Sequence, residues 1–273
     1  KGRASVLSKI EKPSAVTGFD EILDASDGIM VARGDLGVEL PVQNVPPIQK
    51  RLVRRCRAAA KPVIVATQML ESMIESPMPT RAEVSDVATA IYEGADAIML
   101  SAESAAGDYP IEAVSTMNNV AQEVESDPTY TEVIEASRTA SRASVADGIV
   151  AAAREIAETT EIKAICCFTQ SGTTALLTAR ERPRVPIIAM TSQLRTARRL
   201  ALSWGTMCVM TGKLERFKSA VVSAARAARS SGLASETDQI VVTAGVPFNI
   251  PGTTNILRVA PCEERLIYAS DPE

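Results

Sequence analysis

The fold class is decided by the stretch GIMVARGDLG at residues 28–37. Its first half is a continuous apolar run, and a polar segment with two glycines follows directly. Apolar runs of this kind, without alternation, are typical of parallel strands that are buried on both faces. Glycines at the end of such a strand let backbone N–H groups approach an anion closely. We therefore predict a tight strand-to-loop turn at residues 33–37.

The same combination of an apolar run and a polar end recurs through the first 125 residues. The predicted strands are Ala4–Ile10, Gly28–Ala32, Val63–Ala66 and Ala97–Leu100. Amphipathic helical stretches separate them, and Thr80 with Glu83 forms a capping-box pattern before one of these helices. Successive polar ends lie about 25–35 residues apart, the length of one strand–helix unit. The pattern predicts a parallel α/β sheet, either doubly wound or part of a (β/α)8 barrel.

A second α/β pattern begins where the composition changes near residue 128. Its predicted strands are Ala164–Phe168, Pro186–Met190, Met207–Met210, Gln239–Thr243 and Ile256–Val259. Its predicted helices are Val145–Thr160, Thr173–Glu181, Gln193–Ser203 and Glu215–Ser230. We therefore predict a first domain over residues 1–127 and a second α/β domain, with a sheet of roughly five strands, over residues 128–273.

The composition excludes several classes of function. The 273 residues include no histidine, which excludes His-based triads and His metal ligands. A net charge of −4 argues against a nucleic-acid partner, and no apolar run reaches the roughly 18 residues of a membrane span. The five cysteines follow neither a zinc-site nor a secreted disulfide pattern. With no signal peptide at the start of the sequence, we expect a cytoplasmic protein with no membrane partner.

Charged side chains close consecutive strands of the predicted first domain. Lys9 and Glu11 lie two positions apart, so an extended strand places them on one face, and Asp35 follows the next strand. Sites in α/β folds are built at the carboxyl ends of parallel strands. Two carboxylates there suit Mg²⁺, and a lysine beside them suits the stabilisation of charge on a phosphoryl group or an enolate. An ion pair at the rim of the sheet is the alternative.

Hydroxyl side chains mark further candidate positions. Thr67 and Ser101 end the next two strands, where each is either a hydrogen-bond donor or proton relay, or an ordinary strand-end residue. In the second domain, residues 168–174 run from a strand through a loop with hydroxyls and a glycine into a helix, which predicts a phosphate cradle. A simple helix N-cap at Ser171 or Thr173 is the alternative. The segment 252–255 is a second polar loop before the last strand.

Taken together, these motifs resemble the pyruvate kinase family. In the first domain the resemblance rests on VLSKIEK at 6–12, GIMVARGDLG at 28–37, ATQMLESM at 66–73, PTRAE at 79–83, MLS at 99–101 and GDYP at 107–110. In the second domain it rests on SGTT at 171–174 and GTTN at 252–255, so that it covers essentially the whole chain. It implies the C-terminal half of a (β/α)8 barrel followed by a C-terminal α/β regulatory domain.

The resemblance also implies an activity. Family members transfer a phosphoryl group from phosphoenolpyruvate to ADP, giving pyruvate and ATP in glycolysis. They need Mg²⁺ or Mn²⁺ and usually K⁺, and they are usually homotetramers. Their effectors are sugar phosphates or AMP. The predicted helix from Glu215 lacks the tryptophan that some relatives responsive to fructose bisphosphate use, which favours a monophosphate effector.

Roles for individual residues follow from the same resemblance. Glu11 and Asp35 are expected to bind the metal, and Lys9 to stabilise the phosphoryl transition state and the enolate. Backbone groups of Gly34 and Asp35, with the Thr67 hydroxyl, are expected to hold the substrate carboxylate. Thr67 and Ser101 are candidates for the proton relay to the enolate carbon. The expected effector-binding residues are Thr169, Gln170, Ser171, Gly172, Thr173, Thr174, Gly252 and Thr253.

Compared with the family, the sequence lacks the first four strand–helix units of the barrel and the lid domain inserted among them. The K⁺ ligands and the residues that hold the nucleotide phosphates are therefore expected outside this chain. We expect that the chain is part of a longer polypeptide and that the 273 residues alone are inactive. Two alternatives stay open: a non-catalytic fragment that binds a phosphate ligand, and a Mg²⁺-dependent lyase that acts through a pyruvate enolate.

Overall fold

The computed structural model describes residues 4–138, 144–212, 216–248 and 253–269. The described residues form two compact units, which divide in sequence between residues 138 and 144. The domain boundary predicted at residue 127 stays a prediction. In the structure, the helix that begins at Pro128 contributes Tyr130 and Ile134 to the core of the first unit.

Strands and helices alternate along the first unit. Its strands are β1 (Leu7–Ile10), β2 (Gly28–Ala32), β3 (Val63–Ala66) and β4 (Ala97–Met99). Its helices are α1 (Pro13–Thr17), α2 (Phe19–Ala25), α3 (Arg33–Glu39), α4 (Val45–Ala58), α5 (Arg81–Tyr92), α6 (Ala102–Ala105), α7 (Pro110–Ser126) and α8 (Pro128–Ala136). The four strands form one parallel sheet in the order β1-β2-β3-β4. This arrangement confirms the predicted fold class and brings the carboxyl ends of all four strands to one edge.

Burial is greatest in the middle of this sheet. Every side chain of β3 is buried, as are most of those of β2, whereas β4 is half-buried throughout. Helix α4 packs Leu52 and Val53 into the same core, and α5 adds Val87. Full burial of one such aliphatic side chain is worth about 1.5–3 kcal/mol, so these packed layers hold the strand ends in place.

The segment after β2 differs from the prediction. A tight strand-to-loop turn was expected at residues 33–37, but helix α3 begins directly after the strand, at Arg33. Two glycines within seven residues disfavour a helix by about 1 kcal/mol each. Burial of Leu36 and Arg33 within the first unit accounts for the helix that forms nevertheless. Tertiary packing has overridden local propensity here.

Helix α5 begins with the predicted capping box. The Thr80 hydroxyl accepts a hydrogen bond from the Glu83 amide at 3.3 Å, and the Glu83 carboxylate accepts one from the Thr80 amide at 2.7 Å. Glu83 also accepts hydrogen bonds from the amide and the hydroxyl of Ser72, at 2.7 and 2.6 Å. One carboxylate therefore ties the start of α5 to the segment that follows β3.

We predict that Glu83→Ala destabilises the first unit by about 1–2 kcal/mol, because helix-cap and charged hydrogen bonds are lost together. Burial alone raises the pKa of Glu83, but the hydrogen bonds from Ser72 and Thr80 outweigh it and leave the pKa lowered. Since the folded-state pKa is the lower one, this stabilisation is present at neutral pH and is lost as the pH falls below the ordinary value of 4.5. Urea unfolding followed by circular dichroism at pH 7 and pH 4 measures both effects. An equal effect of the substitution at both pH values would contradict the assignment.

The second unit is a five-stranded mixed sheet between two helical layers. Its strands are β5 (Ile162–Phe168), β6 (Ile187–Thr191), β7 (Thr206–Met210), β8 (Gln239–Gly245) and β9 (Thr254–Pro261). Its helices are α9 (Val145–Thr159), α10 (Thr173–Arg180), α11 (Leu194–Leu200), α12 (Phe217–Ser230) and α13 (Glu264–Ala269). The strand order is β7-β6-β5-β8-β9, and only β9 runs antiparallel to its neighbour. The predicted number of strands is confirmed, and the predicted start of α12 at Glu215 lies outside the described residues.

Side chains alternate between the two faces of this sheet. Ile165 and Cys167 of β5 pack with α9, α10 and α11, whereas Cys166 and Phe168 pack with α12 and α13. The alternation follows from the two-residue period of a strand. Burial raises the pKa of both the Cys166 and the Cys167 thiols, so both stay protonated and act as core residues. Within the described ranges, no helix is both long and apolar enough to cross a membrane.

Candidate functional site

The carboxyl edge of the first sheet brings together the three charged residues predicted from the sequence. Lys9 lies in β1, Glu11 follows the end of that strand, and Asp35 lies in the first turn of α3. The Lys9 ammonium nitrogen (Nζ) is 2.6 Å from Glu11 Oε2 and 2.7 Å from Asp35 Oδ2. The three side chains are 35–51% exposed, so the cluster is open to solutes.

Lys9 and Asp35 keep their charges near neutral pH. Hydrogen bonds to Asp35 and then to Glu11 raise the pKa of Lys9. The hydrogen bond from Lys9 is the largest cause that lowers the pKa of Asp35. The ammonium therefore stays protonated and the Asp35 carboxylate stays ionised, which suits binding of a cation and of an anion side by side.

The next strand end is joined to this cluster through a hydrogen bond. The Gly34 amide donates to the Thr67 hydroxyl oxygen at 2.8 Å, and that hydroxyl donates to the Ala66 carbonyl at 2.6 Å. A Cβ atom at position 34 would lie 3.3 Å from the same hydroxyl, closer than most such contacts. A side chain at this position would therefore require the Thr67 hydroxyl to move by a few tenths of an ångström.

The backbone at Thr67 is in an uncommon conformation. Thr67 and Gln68 have φ angles of 71° and 54°, in the left-handed region that costs a non-glycine residue about 1–2 kcal/mol. The buried Arg33 guanidinium donates hydrogen bonds to the carbonyls of both residues, at 2.7 Å and 3.0 Å. Sequence reasoning missed this role of Arg33, because the carbonyls it contacts lie more than thirty positions away.

Ser101 lies at the end of β4 and was predicted as a relay. Its backbone has φ −120° and ψ −102°, outside the regular regions. Its amide donates to the buried Glu103 carboxylate at 2.7 Å, and the same carboxylate accepts a 3.3 Å hydrogen bond from the Leu70 amide. Glu103, whose role sequence reasoning also missed, thus links the end of β4 to the segment that follows β3. The role of the Ser101 hydroxyl stays a prediction.

The polar loop of the second unit follows β5. The Thr169 hydroxyl accepts a hydrogen bond from the Gly172 amide at 2.9 Å, and the Thr196 hydroxyl donates to the Gln170 carbonyl at 2.6 Å. Gly172, at φ 92°, is the N-cap residue of α10, and its position has no side chain to cap the helix. The predicted alternative of a cap at Ser171 or Thr173 is therefore wrong. Those two hydroxyls hydrogen-bond each other at 2.9 Å.

A buried pair of hydroxyls links this loop to the last strand. Thr174 and Thr254 are both buried, and their hydroxyl oxygens are 2.6 Å apart. Of the second predicted loop, Thr253 packs against Gly245, whereas Gly252 lies outside the described residues. The two predicted effector segments are thus adjacent at their inner ends.

The strand order places a topological switch point beside the loop that follows β5. The chain leaves β5 toward β6 on one side, and β8 pairs with β5 on the other side. A crevice opens at such a switch point, outside the carboxyl ends of the two central strands, and ligands of open α/β sheets bind there. Residues 169–172 follow β5 and residues 246–248 follow β8, so the first predicted effector loop and the described segment after β8 lie at this point.

Comparisons with known proteins all find similarity to pyruvate kinases. Residues 1–114 match the model of the pyruvate kinase barrel domain, and residues 147–260 match that of the pyruvate kinase alpha/beta domain. The chain is 53% identical over 259 residues to a pyruvate kinase of Methylorubrum extorquens, a match that covers 95% of the chain and 54% of that protein. It is 46% identical over 254 residues to one of Clostridium acetobutylicum, with coverage of 93% and 54%.

A solved structure gives the same result for the fold. The crystal structure of a pyruvate kinase from Cryptosporidium parvum matches with a TM-score of 0.87 and 36% sequence identity, covering 94% of this chain and 51% of the other. The chain spans about half the length of the curated relatives it matches.

Proposed function

The chain belongs to the pyruvate kinase family, and from this premise we propose that it carries the residues that bind phosphoenolpyruvate and its metal for phosphoryl transfer to ADP, giving pyruvate and ATP in glycolysis. The observation that carries the proposal is the Lys9 cluster. One ammonium lies within 2.7 Å of two carboxylates, beside an amide and a hydroxyl suited to a substrate carboxylate. Phosphoryl transfer depends on this kind of positioning and electrostatic stabilisation.

The residues present fit a magnesium or manganese ion. Glu11 and Asp35 provide hard oxygen ligands, and the lowered pKa of Asp35 keeps that ligand ionised. In the described parts of the chain, no three His, Cys, Asp or Glu side chains group closely enough to hold a metal. Two carboxylates suffice for Mg²⁺, which usually keeps several waters and also takes substrate oxygens. When bound, the ion would neutralise charge on the phosphoryl and enolate oxygens.

Lys9 supplies positive charge to the reacting groups. In the proposed reaction the phosphoryl group leaves an enolate oxygen, and negative charge develops on both. An ammonium held in place by Glu11 and Asp35 stabilises that charge without reorganisation during the reaction. Its raised pKa keeps it charged at any pH near neutral.

The substrate carboxylate is proposed to bind at the start of α3. The donors would be the amides of Gly34 and Asp35 and the hydroxyl of Thr67. The Gly34 amide nitrogen lies 2.8 Å from the Thr67 hydroxyl oxygen. A carboxylate placed there would accept the amide proton that Gly34 now donates to the Thr67 hydroxyl and the hydroxyl proton that Thr67 now donates to the Ala66 carbonyl. Thr67 and Ser101 then remain as candidates to deliver the proton that converts the enolate to pyruvate.

The second unit is proposed to bind a phosphorylated effector, a sugar phosphate or AMP. Support comes from the position of residues 169–174 and Thr253 near the switch point and from the N-terminus of α10, whose N-cap residue, Gly172, has no side chain. The ligands for K⁺ and for the nucleotide phosphates are proposed to lie outside this chain, within a homotetramer of the complete protein. On this view the 273 residues alone bind ligands without turnover.

Turnover assays test the proposal directly. Pyruvate formation from phosphoenolpyruvate and ADP is measured for the chain alone and for a chimera. The chimera joins the part of the Methylorubrum extorquens relative that precedes its matched region to the full chain. We expect no ADP-dependent turnover by the chain and Mg²⁺-dependent turnover by the chimera.

The alternatives give different results in these assays. A folded chimera without activity, together with effector binding by the chain, would favour the non-catalytic phosphate-binding alternative. Enolate chemistry on pyruvate that does not depend on ADP would favour the lyase. Turnover by the chain alone would contradict the expectation that it is inactive.

A further inference from the structure

Arg33 is a buried charged residue to which neither the proposed catalysis nor metal binding assigns a role. Only 8% of its surface is exposed. Its guanidinium makes an ion pair with Asp86 of α5, with Nη1 lying 2.6 Å from the carboxylate. A buried guanidinium needs partners for its remaining N–H groups, and these partners show what it organises.

The other N–H groups of Arg33 point at one turn. Nε and Nη2 donate to the Thr67 carbonyl at 3.2 and 2.7 Å, and Nη2 also donates to the Gln68 carbonyl at 3.0 Å. The sulfur of Met69 lies 2.8 Å from the same nitrogen. The guanidinium thus contacts three consecutive residues just beyond the end of β3.

These contacts fall on the strained part of the backbone. Thr67 and Gln68 are the two consecutive residues with positive φ, and residues other than glycine keep that conformation only where their surroundings hold them in it. Arg33 also precedes Gly34 directly, and the Gly34 amide donates to the Thr67 hydroxyl. Residues 33 and 34 therefore hold Thr67 from two sides, by its carbonyl and by its hydroxyl.

We propose that Arg33 is a positioning residue, which holds the Thr67–Gln68 turn in its left-handed conformation so that the Thr67 hydroxyl faces the start of α3, where the substrate carboxylate binds. Asp86 fixes the orientation of the guanidinium. The proposal rests on the function proposed above for Thr67. A planar fork of donors is required, because the ammonium of a lysine cannot reach two carbonyls and a carboxylate in the same geometry.

The test measures binding of pyruvate to the full chain in the presence of saturating Mn²⁺, by calorimetry. We expect Arg33→Met and Thr67→Ala each to weaken pyruvate binding by about tenfold, and Arg33→Lys to restore it only in part. Because Arg33 acts through Thr67, the double variant should bind little more weakly than either single variant. Independent effects, multiplying to about a hundredfold, would overturn the proposal. The affinity for Mn²⁺ alone should not change.

A second readout does not depend on pyruvate. Hydrogen–deuterium exchange of the ligand-free chain reports the hydrogen bond of the Gly34 amide. We expect faster exchange at Gly34 in Arg33→Met, and a smaller increase in Asp86→Asn, which serves as the milder variant if the first does not fold. Unchanged exchange at Gly34 in folded variants would overturn the proposal. If the unmodified chain binds no pyruvate, the proposed function fails, and the exchange at Gly34 alone decides whether Arg33 positions the turn.

Discussion

Replacing Lys9 with methionine is expected to reduce pyruvate formation by the chimera by about 10²–10³-fold, the loss typical when a preorganised electrostatic group is removed. The ammonium lies within 2.7 Å of both carboxylates of the cluster. The phosphoryl group and the enolate oxygen are proposed to lie beside this ammonium. Methionine keeps much of the length of the side chain and removes its charge. The measurement is kcat with saturating phosphoenolpyruvate, ADP and Mg²⁺.

Metal affinity separates the role of Lys9 from those of its partners. Lys9→Met frees Glu11 and Asp35 from their ion pairs, so the affinity for Mn²⁺ should stay the same or rise. Asp35→Asn removes a ligand, and the affinity should fall by at least about tenfold, or 1.4 kcal/mol. A loss of Mn²⁺ binding in Lys9→Met would contradict the assignment.

Lys12 provides the matched control for this prediction. It is an exposed lysine of the same segment, and it makes an ion pair with Glu39 at the other end of α3. Lys12→Met should change kcat by no more than about twofold, since a surface ion pair of this kind contributes little. If both lysine variants lose activity equally, general loss of positive charge rather than the position of Lys9 is responsible.

The largest effect on stability is expected in the second unit, at Asp147. This residue, in the first turn of α9, is 4% exposed and lies 2.7 Å from Nη1 of Arg180, which is 9% exposed. The same guanidinium contacts Glu181 at 2.8 Å. Removing one partner of a buried ion pair costs about 3–5 kcal/mol where the other charge is left unpaired. Because Glu181 still pairs with Arg180, we expect Asp147→Ala to destabilise the second unit by about 1.5–3 kcal/mol, the value of a lost charged hydrogen bond.

The chain contains its own probe for this measurement. Trp204 is its one tryptophan, and it lies in the second unit with the Arg182 guanidinium 4.9 Å from its ring. Urea unfolding followed by tryptophan fluorescence therefore reports this unit. Glu236→Ala is the control, because Glu236 is 65% exposed in its ion pair with Arg229, and its removal should cost less than about 1 kcal/mol. Equal losses in the two variants would contradict the importance of burial.

Much of the fold was predictable because its strands are buried on both faces. The bounds of β2 and β3 agree with prediction to the residue, since each is an apolar run that ends where polar residues begin. The capping box at Thr80 was predictable for a similar reason, because its partners lie three positions apart. All the residues that determine such features are neighbours in the sequence, so the sequence alone predicts them.

The misses arise where distant residues decide the structure. Helix α3 forms against the propensity of its glycines, since burial of Leu36 outweighs them. Arg33 stands within the motif at 28–37, yet the carbonyls that it contacts follow β3. Glu103 follows β4, and the amide of Leu70 that it binds also lies in the segment after β3. The cluster of Lys9, Glu11 and Asp35 was predictable because parallel strands bring their carboxyl ends together. The contacts that hold each strand end in place join residues distant in sequence, so only the structure shows them.

The buried hydroxyl pair of Thr174 and Thr254 makes the two loops of the second unit mechanically dependent on each other. Because the two oxygens are 2.6 Å apart and both residues are buried, a shift of α10 at its N-terminus must either break this hydrogen bond or move the start of β9 as well. A ligand that moves one of these loops is therefore expected to move the other. Substitutions in residues 169–172 and at Thr253 should consequently combine non-additively, even where their side chains never touch.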